Sequence, residues 1–291
     1  MLKRDGWPRL IEAPKPRLKR IQRYLLDEIL SAIPPAQEAH GFRPERSVAS
    51  FVEPHAGRAI VIRFDLRNFF PSIRKARVLP IFLTAGYPEP VARLLAGLCT
   101  NRAPPEVLRD GESVLKVEQR RALKLLYGEP HLPQGAPSSP AIANLCAFRL
   151  DRRLAGLAAS ANARYTQYAD DLLFSGGIEL ARAARGFEVA VSRIALEEGF
   201  EVQTRKTRVM RRGVAQRAGG LVLNEKPNVP RHEYDRLKAI LHNCGRFGPE
   251  TQNKKGIERF KEHLAGRVAY VASINPARGV KLRALFERIV W

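Results

Sequence analysis

Two β-prone apolar runs meet at Tyr168-Ala169-Asp170-Asp171, inside the stretch Ala163 to Ser175, and this feature constrains the fold of the chain more than any other. The runs read as the two strands of a hairpin, with the paired acids at its tip. Adjacent carboxylates repel and raise each other's pKa, so such a tip is tolerable where a cation sits against it. Upstream, Arg58 to Leu66 alternates at the period of a strand. Ile60, Ile62, Phe64 and Leu66 fall on one face, and Ala59, Val61, Arg63 and Asp65 on the other. An acid on one strand and an acid pair at a hairpin can converge on two divalent metal ions, the equipment for in-line displacement at a phosphate.

Composition narrows the partner. Among 291 residues, 50 Lys and Arg stand against 29 Asp and Glu, a formal charge of +21. A surplus of that size predicts a polyanionic partner, because each neutralised phosphate releases counterions. The clustered acids argue against a purely electrostatic binder. Cys99, Cys146 and Cys244 are too widely spaced for a cysteine metal site and read as reduced core thiols. His55, His131, His232 and His263 are scattered, which argues against a histidine zinc site. The amino terminus lacks an apolar segment of signal length and no run of about 18 apolar residues occurs, so a soluble, cytoplasmic protein with no membrane partner is expected.

Along the chain, the basic stretch Pro14 to Arg23 opens into an amphipathic helix, Tyr24 to Leu30, ended by Pro34-Pro35. Its basic start reads either as a nucleic-acid contact or as the solvated side of a surface helix. Residues 74–100 read as helical, with Leu79, Phe82, Leu83, Val91, Leu94, Leu95 and Leu98 as core. The stretch 101–130, with Pro104-Pro105 and Asp110-Gly111, reads as an inserted hairpin or loop. A Gly/Pro turn at Leu132 to Pro140 feeds a helix at 141–150; a helix at 178–198 follows the hairpin, and 199–210 and 219–223 read as strands. From about 226 the helical runs 231–244, 255–273 and 276–290 form a basic all-α unit with Arg246, Lys254, Lys255, Lys261, Arg267, Arg278, Lys281 and Arg283.

Taken in order, five segments resemble the motifs of bacterial reverse transcriptases, nearest the retron and group II intron branch. They are His40-Gly41-Phe42-Arg43-Pro44-Glu45-Arg46-Ser47, Phe64 to Ile73, Leu132 to Pro140, Tyr168 to Asp171, and Thr204-Arg205-Lys206-Thr207. The resemblance implies an α+β right-hand polymerase, with fingers and a ferredoxin-like palm sheet over residues 1–225 and a helical thumb over 226–291. It implies RNA-directed DNA synthesis from dNTPs with two Mg²⁺ ions, for which Mn²⁺ can substitute. Asp65 and Asp170 then bridge both ions, with the Leu66 carbonyl assisting and Asp171 supporting.

Other roles follow from the same resemblance. Phe70 becomes an aromatic floor that rejects a ribose 2′-hydroxyl, and Phe69 a core residue. Gln134 sits near the incoming nucleotide, and Gly135 lets the backbone approach closely; a turn with purely structural duties is the alternative. Arg43 and Arg46 resemble the cations that clamp the triphosphate, with Arg63 a competing candidate. Lys206 resembles the lysine that protonates departing pyrophosphate. The basic third unit would grip the minor groove of a primer–template duplex.

Where retron enzymes carry Val-Thr-Gly after the lysine motif, this chain has Ala218-Gly219-Gly220, and an Asn-Ala-x-x-His signature is not readable between residues 74 and 131. The implied setting is a retron, in which a structured noncoding RNA is template and primes through an internal 2′-hydroxyl, in anti-phage defence with a possible effector protein. Another bacterial reverse transcriptase class (defence-associated, CRISPR-associated or diversity-generating) is the first alternative. A catalytically inactive RNA-binding subunit is the second, and the intact Asp65, Asp170, Asp171 and Phe70 speak against it.

Overall fold

The computed structural model describes residues 10–110 and 116–291. Helix α1 (Pro16–Glu28) starts with a proline at the first helical position, where no N–H is needed. Helix α2 (Val48–Val52) is closed by a capping box in which Ser47 and Ser50 each accept from the other's backbone N–H. Strand β1 (Ile60–Asp65) leads to α3 (Phe69–Ser72), α4 (Lys75–Thr84), α5 (Glu89–Cys99), α6 (Pro105–Asp110) and α7 (Val117–Tyr127). Helices α8 (Ser139–Cys146) and α9 (Phe148–Ser160) feed the hairpin of β2 (Arg164–Tyr168) and β3 (Asp171–Gly176). After α10 (Ile178–Glu197) come β4 (Arg208–Arg211), the two-residue strands β5 (Arg217–Ala218) and β6 (Leu221–Val222), and three helices. These are α11 (Arg231–Phe247), α12 (Phe260–Ile274) and α13 (Pro276–Phe286).

The main sheet is antiparallel with strand order β2-β3-β1-β4. With helices between β1 and β2 and α10 between β3 and β4, this is the split βαββαβ arrangement of a ferredoxin-like palm. Its register sets Asp65 opposite Asp171. The alternation read along β1 sorts its side chains between two cores. Ile60, Ile62, Phe64 and Leu66 join Val78, Phe82, Leu95, Leu150 and Phe174 on one side. Val61 joins Leu173, Met210, Leu237, Leu241, Val268 and Leu282 on the other. Each such burial contributes roughly 1.5–3 kcal/mol, so the strand is held from both faces. The helices after residue 226 therefore share a core with the palm rather than enclosing one of their own.

Four local readings give way. The helical stretch 74–100 divides at Gly86, whose φ of 91° no β-carbon-bearing residue adopts easily, and at Pro88. Leu83, Val91 and Leu94, expected in the core, are 40%, 41% and 63% exposed; the small residues Ala92, Ala96 and Cys99 face inward instead and let α5 pack closely. The expected hairpin or loop at 101–130 is mostly α6 and α7, gathered on a small core of Ala103, Leu108 and Tyr127. Gly111 of the Asp110-Gly111 pair lies outside the described residues. The strand expected at 199–210 reduces to an isolated bridge from Val202 to Leu66, a 3₁₀ turn at Thr204–Lys206, and β4. Among the described residues no helix is long and apolar enough to cross a membrane.

Candidate active site

The tip of the β2–β3 hairpin is strained and braced. Ala169 has φ 54°, a conformation costly for a residue with a side chain. Its carbonyl accepts from Gln167 Nε2 at 3.0 Å, and the Asp170 carbonyl accepts from the Leu66 N–H at 2.8 Å. The 38–40 segment extends the sheet edge, with the Gln167 N–H donating to the Glu38 carbonyl and the His40 N–H to the Gln167 carbonyl, both at 2.7 Å. Gly41 then lies directly on the tip: a β-carbon there would sit 2.9 Å from the Ala169 nitrogen.

A buried imidazole ties the two strands together from the opposite face. His55 Nε2 is 2.8 Å from Thr166 Oγ1 on β2, and Nδ1 is 2.7 Å from Ser175 Oγ on β3. Since the Thr166 hydroxyl donates to the Phe51 carbonyl at 2.8 Å, it accepts from Nε2–H, and Nδ1 accepts from Ser175. Burial pushes the imidazole pKa down to about 3, so it stays neutral and keeps this tautomer.

Three carboxylates meet at one cavity of about 320 Å³. Asp65, 7% exposed at the end of β1, accepts from Lys206 Nζ at 3.0 Å on both oxygens. Asp171 is gripped by Arg63, whose Nη2 lies 2.7 and 2.9 Å from its two oxygens. Burial still outweighs that guanidinium and pushes the Asp171 pKa up. Asp170 is raised first by burial, then by the charges of Asp171 and Asp65. Among the described residues no three His, Cys, Asp or Glu side chains are grouped closely enough to hold a metal ion. Two of the acids are turned instead onto cations of the chain itself.

The cavity wall is aromatic. Phe70, half-buried, stands edge-on to Phe69 at 5.5 Å and to Phe42 at 6.2 Å, and Phe42 is 6.2 Å from Tyr168. Phe69 is 3% exposed and packs on Phe200, so the adjacent rings divide between core and cavity. Gln134 and Leu66 also line the cavity. The Gln134 carbonyl accepts from the Glu12 N–H at 3.0 Å, and a β-carbon on Gly135 would come within 3.1 Å of the Glu12 carbonyl oxygen.

Other expected residues lie elsewhere. Neither Arg43 nor Arg46 lines the cavity. Arg43 donates to the carbonyls of Ala36 and Ala39 at 2.9 and 3.0 Å, satisfying a loop whose carbonyls would otherwise lack donors. Arg63 is spent on Asp171. In the carboxy-terminal helices, Arg278 stacks 4.6 Å over Tyr234 and bonds Asn228, Arg246 lies over Phe247, and Lys261 over Trp291. Phe42 and Tyr168 stand in two of the sequence motifs and His55 among the scattered histidines, but no local pattern in the sequence assigns any of the three a place at the site.

The donor set is all oxygen, and among the described residues no cation forms an ion pair with the half-buried Asp170. Both features suit a hard divalent cation more than zinc.

The chain matches the family described as "Reverse transcriptase (RNA-dependent DNA polymerase)" over residues 1–240. It is 41% identical over 284 residues to the Retron Mx65 reverse transcriptase of Myxococcus xanthus, covering 96% of this chain and 61% of that protein. It is 36% identical over 291 residues to the Retron Mx162 reverse transcriptase of the same organism, covering 95% and 57%. With the Retron Ec86 reverse transcriptase of Escherichia coli it shares 29% identity over 271 residues, covering 92% and 72%. The chain thus spans 61% and 57% of the length of the two Myxococcus relatives.

Proposed function

Because the chain belongs to the reverse transcriptase family, with residues 1–240 matched, we propose that it is an RNA-directed DNA polymerase that extends a primer with dNTPs. The observation that carries this is the meeting of Asp65 with Asp170 and Asp171 at a single cavity walled by Phe70 and Gln134. Asp65 and Asp170 would hold two Mg²⁺ ions (Mn²⁺ substituting), with the Leu66 carbonyl and Asp171 in support. When bound, the ions lower the pKa of the primer's terminal hydroxyl and neutralise the triphosphate.

The chain's own residues do the rest. Arg63 holds Asp171 across the β1–β3 pair and so keeps the hairpin tip in register with Asp65. Phe70 offers its ring to the sugar of the incoming nucleotide and excludes a 2′-hydroxyl. Gln134 contacts the nucleotide from the turn that Glu12 braces. Lys206, half-exposed and 3.0 Å from Asp65, is free to swing toward departing pyrophosphate and deliver a proton. The names of the relatives support a retron setting, with a structured noncoding RNA as template and DNA as product.

The test is incorporation of dTTP on poly(rA)–oligo(dT), with Asp170→Asn as the control. Metal-dependent synthesis is expected; no synthesis in either Mg²⁺ or Mn²⁺ would overturn the proposal.

A further inference from the structure

We propose that the exposed face of α1 is a docking track for single-stranded RNA at the rim of the catalytic cavity, a reading that rests on the polymerase function above. The helix has one face to spare. Leu25 is buried, Leu26 and Ile29 pack on the main core, and Gln22 Nε2 donates to the Leu98 carbonyl at 2.8 Å. Facing solvent are Arg17, Lys19, Arg20 and Arg23, together with Tyr24, which is 64% exposed. Arg17, Arg20 and Tyr24 follow at helical spacing and share one stripe.

None of these four cations forms an ion pair among the described residues. Some helical arginines elsewhere in the chain are neutralised: Arg153 bonds both Glu197 and Glu198, and Arg193 bonds Glu197. Like charges three and four residues apart destabilise a helix, and the acids of α1, Asp27 and Glu28, stand at its carboxy-terminal end, out of reach of Arg17, Lys19 and Arg20. A polyanion would relieve that repulsion.

The helix is also fixed to the cavity. The Glu12 carboxylate bonds His131 Nε2 and Asn101 Nδ2, both at 2.7 Å, and the Glu12 N–H bonds the carbonyl of Gln134, which lines the cavity. His131 and Glu12 side chains are 0% and 8% exposed. Helix α1 begins four residues later, at most about 14 Å of chain from that anchor. A strand passing Gln134 therefore meets arginines spaced for phosphates and a tyrosine placed for stacking.

The chemistry selects the occupant. Base stacking on Tyr24 needs unpaired bases, which favours a single strand over a duplex. A membrane-surface helix must keep an apolar face free, and this one has committed its apolar face to the core.

The experiment measures fluorescence anisotropy of a labelled single-stranded oligo(rU) in EDTA across a KCl series. Three proteins are compared: wild type, Arg17→Gln/Arg20→Gln/Arg23→Gln, and the control Arg152→Gln/Arg182→Gln/Arg185→Gln, which removes equal charge from exposed positions on α9 and α10. The α1 variant should lose about tenfold in affinity, with a log–log salt slope shallower by roughly 2; the control should change less than about threefold. Tyr24→Ser should weaken oligo(rU) about fivefold and leave an RNA duplex unaffected. Equal losses in the α1 and control variants would overturn the proposal. So would an α1 variant that loses binding to phosphatidylserine vesicles with RNA affinity intact. Primer extension run in parallel separates the two readings: synthesis by wild type with α1-independent RNA binding defeats only the track, and α1-dependent binding without synthesis defeats only the polymerase.

Discussion

Removing the Lys206 ammonium should tighten the hold of the site on a divalent ion. Its Nζ lies 3.0 Å from both oxygens of Asp65, with side-chain exposures of 50% for the lysine and 10% for the acid. Two unit charges at that distance attract by about 5.5 kcal/mol at an effective dielectric of ~20, and by about 1.4 kcal/mol in bulk water. The half-exposed ammonium recovers much of its hydration on leaving, so the net contact is worth about 1 kcal/mol. A metal that needs Asp65 must displace it. Lys206→Met should therefore bind Mn²⁺ roughly fivefold more tightly, a factor that corresponds to that energy. Titration of the nucleic-acid-free protein, followed by the electron paramagnetic resonance signal of free Mn²⁺, reads this directly. Arg205→Gln, which removes the same charge from the neighbouring position without touching Asp65, controls for the general field. If Lys206→Met binds Mn²⁺ no more tightly than Arg205→Gln, the lysine is not a competitor for the acid. Turnover should move the other way, because the leaving group loses its proton donor.

Asp170→Asn should abolish DNA synthesis while oligo(rU) affinity stays within about twofold, since a metal ligand is lost and no phosphate contact is; residual synthesis near the wild-type rate would refute the site. Phe70→Ala should admit ribonucleotides, read as a fall in the dNTP-to-rNTP ratio of kcat/KM; an unchanged ratio removes the ring from the gate. His55→Leu orphans the Ser175 hydroxyl behind the hairpin, at about 1–3 kcal/mol, and removes the bond that Thr166 accepts while leaving the one it donates to Phe51; urea unfolding checks the loss, and wild-type stability would show that the imidazole bridge carries no weight. Asp151, buried and bonded by Tyr165, has its pKa pushed by burial from 3.8 to about 8. Its folded-state pKa is raised, so the stability present below pH 3.8 is lost as pH climbs through about 8. Asp151→Asn should thus gain on wild type between about pH 5 and 8 in urea melts; parallel curves would contradict the assignment.

Much of this molecule is local, and what is local was legible. The period-two pattern of β1 placed Asp65 and sorted Ile60, Ile62, Phe64 and Leu66 from Val61, because strand geometry turns alternate residues to opposite faces. The Tyr-Ala-Asp-Asp segment was readable as a hairpin tip because its flanking runs and its charge pair leave few other folds. Less was visible where helices pack. Leucines and valines on α4 and α5 looked like core, yet the close approach uses Ala92 and Ala96, and periodicity does not say which side of a helix has a neighbour.

The residues themselves determined which groups this protein can use: three acids, a ring beside the strand end, a turn with Gln134, and an excess of cations. Only the tertiary structure decided how those cations are spent. Lys206 lies 141 positions from Asp65, and Arg63 lies 108 from Asp171. Coulomb attraction depends on distance in space, and no period or spacing along a chain encodes which of 50 basic side chains will arrive within 3 Å of a given carboxylate.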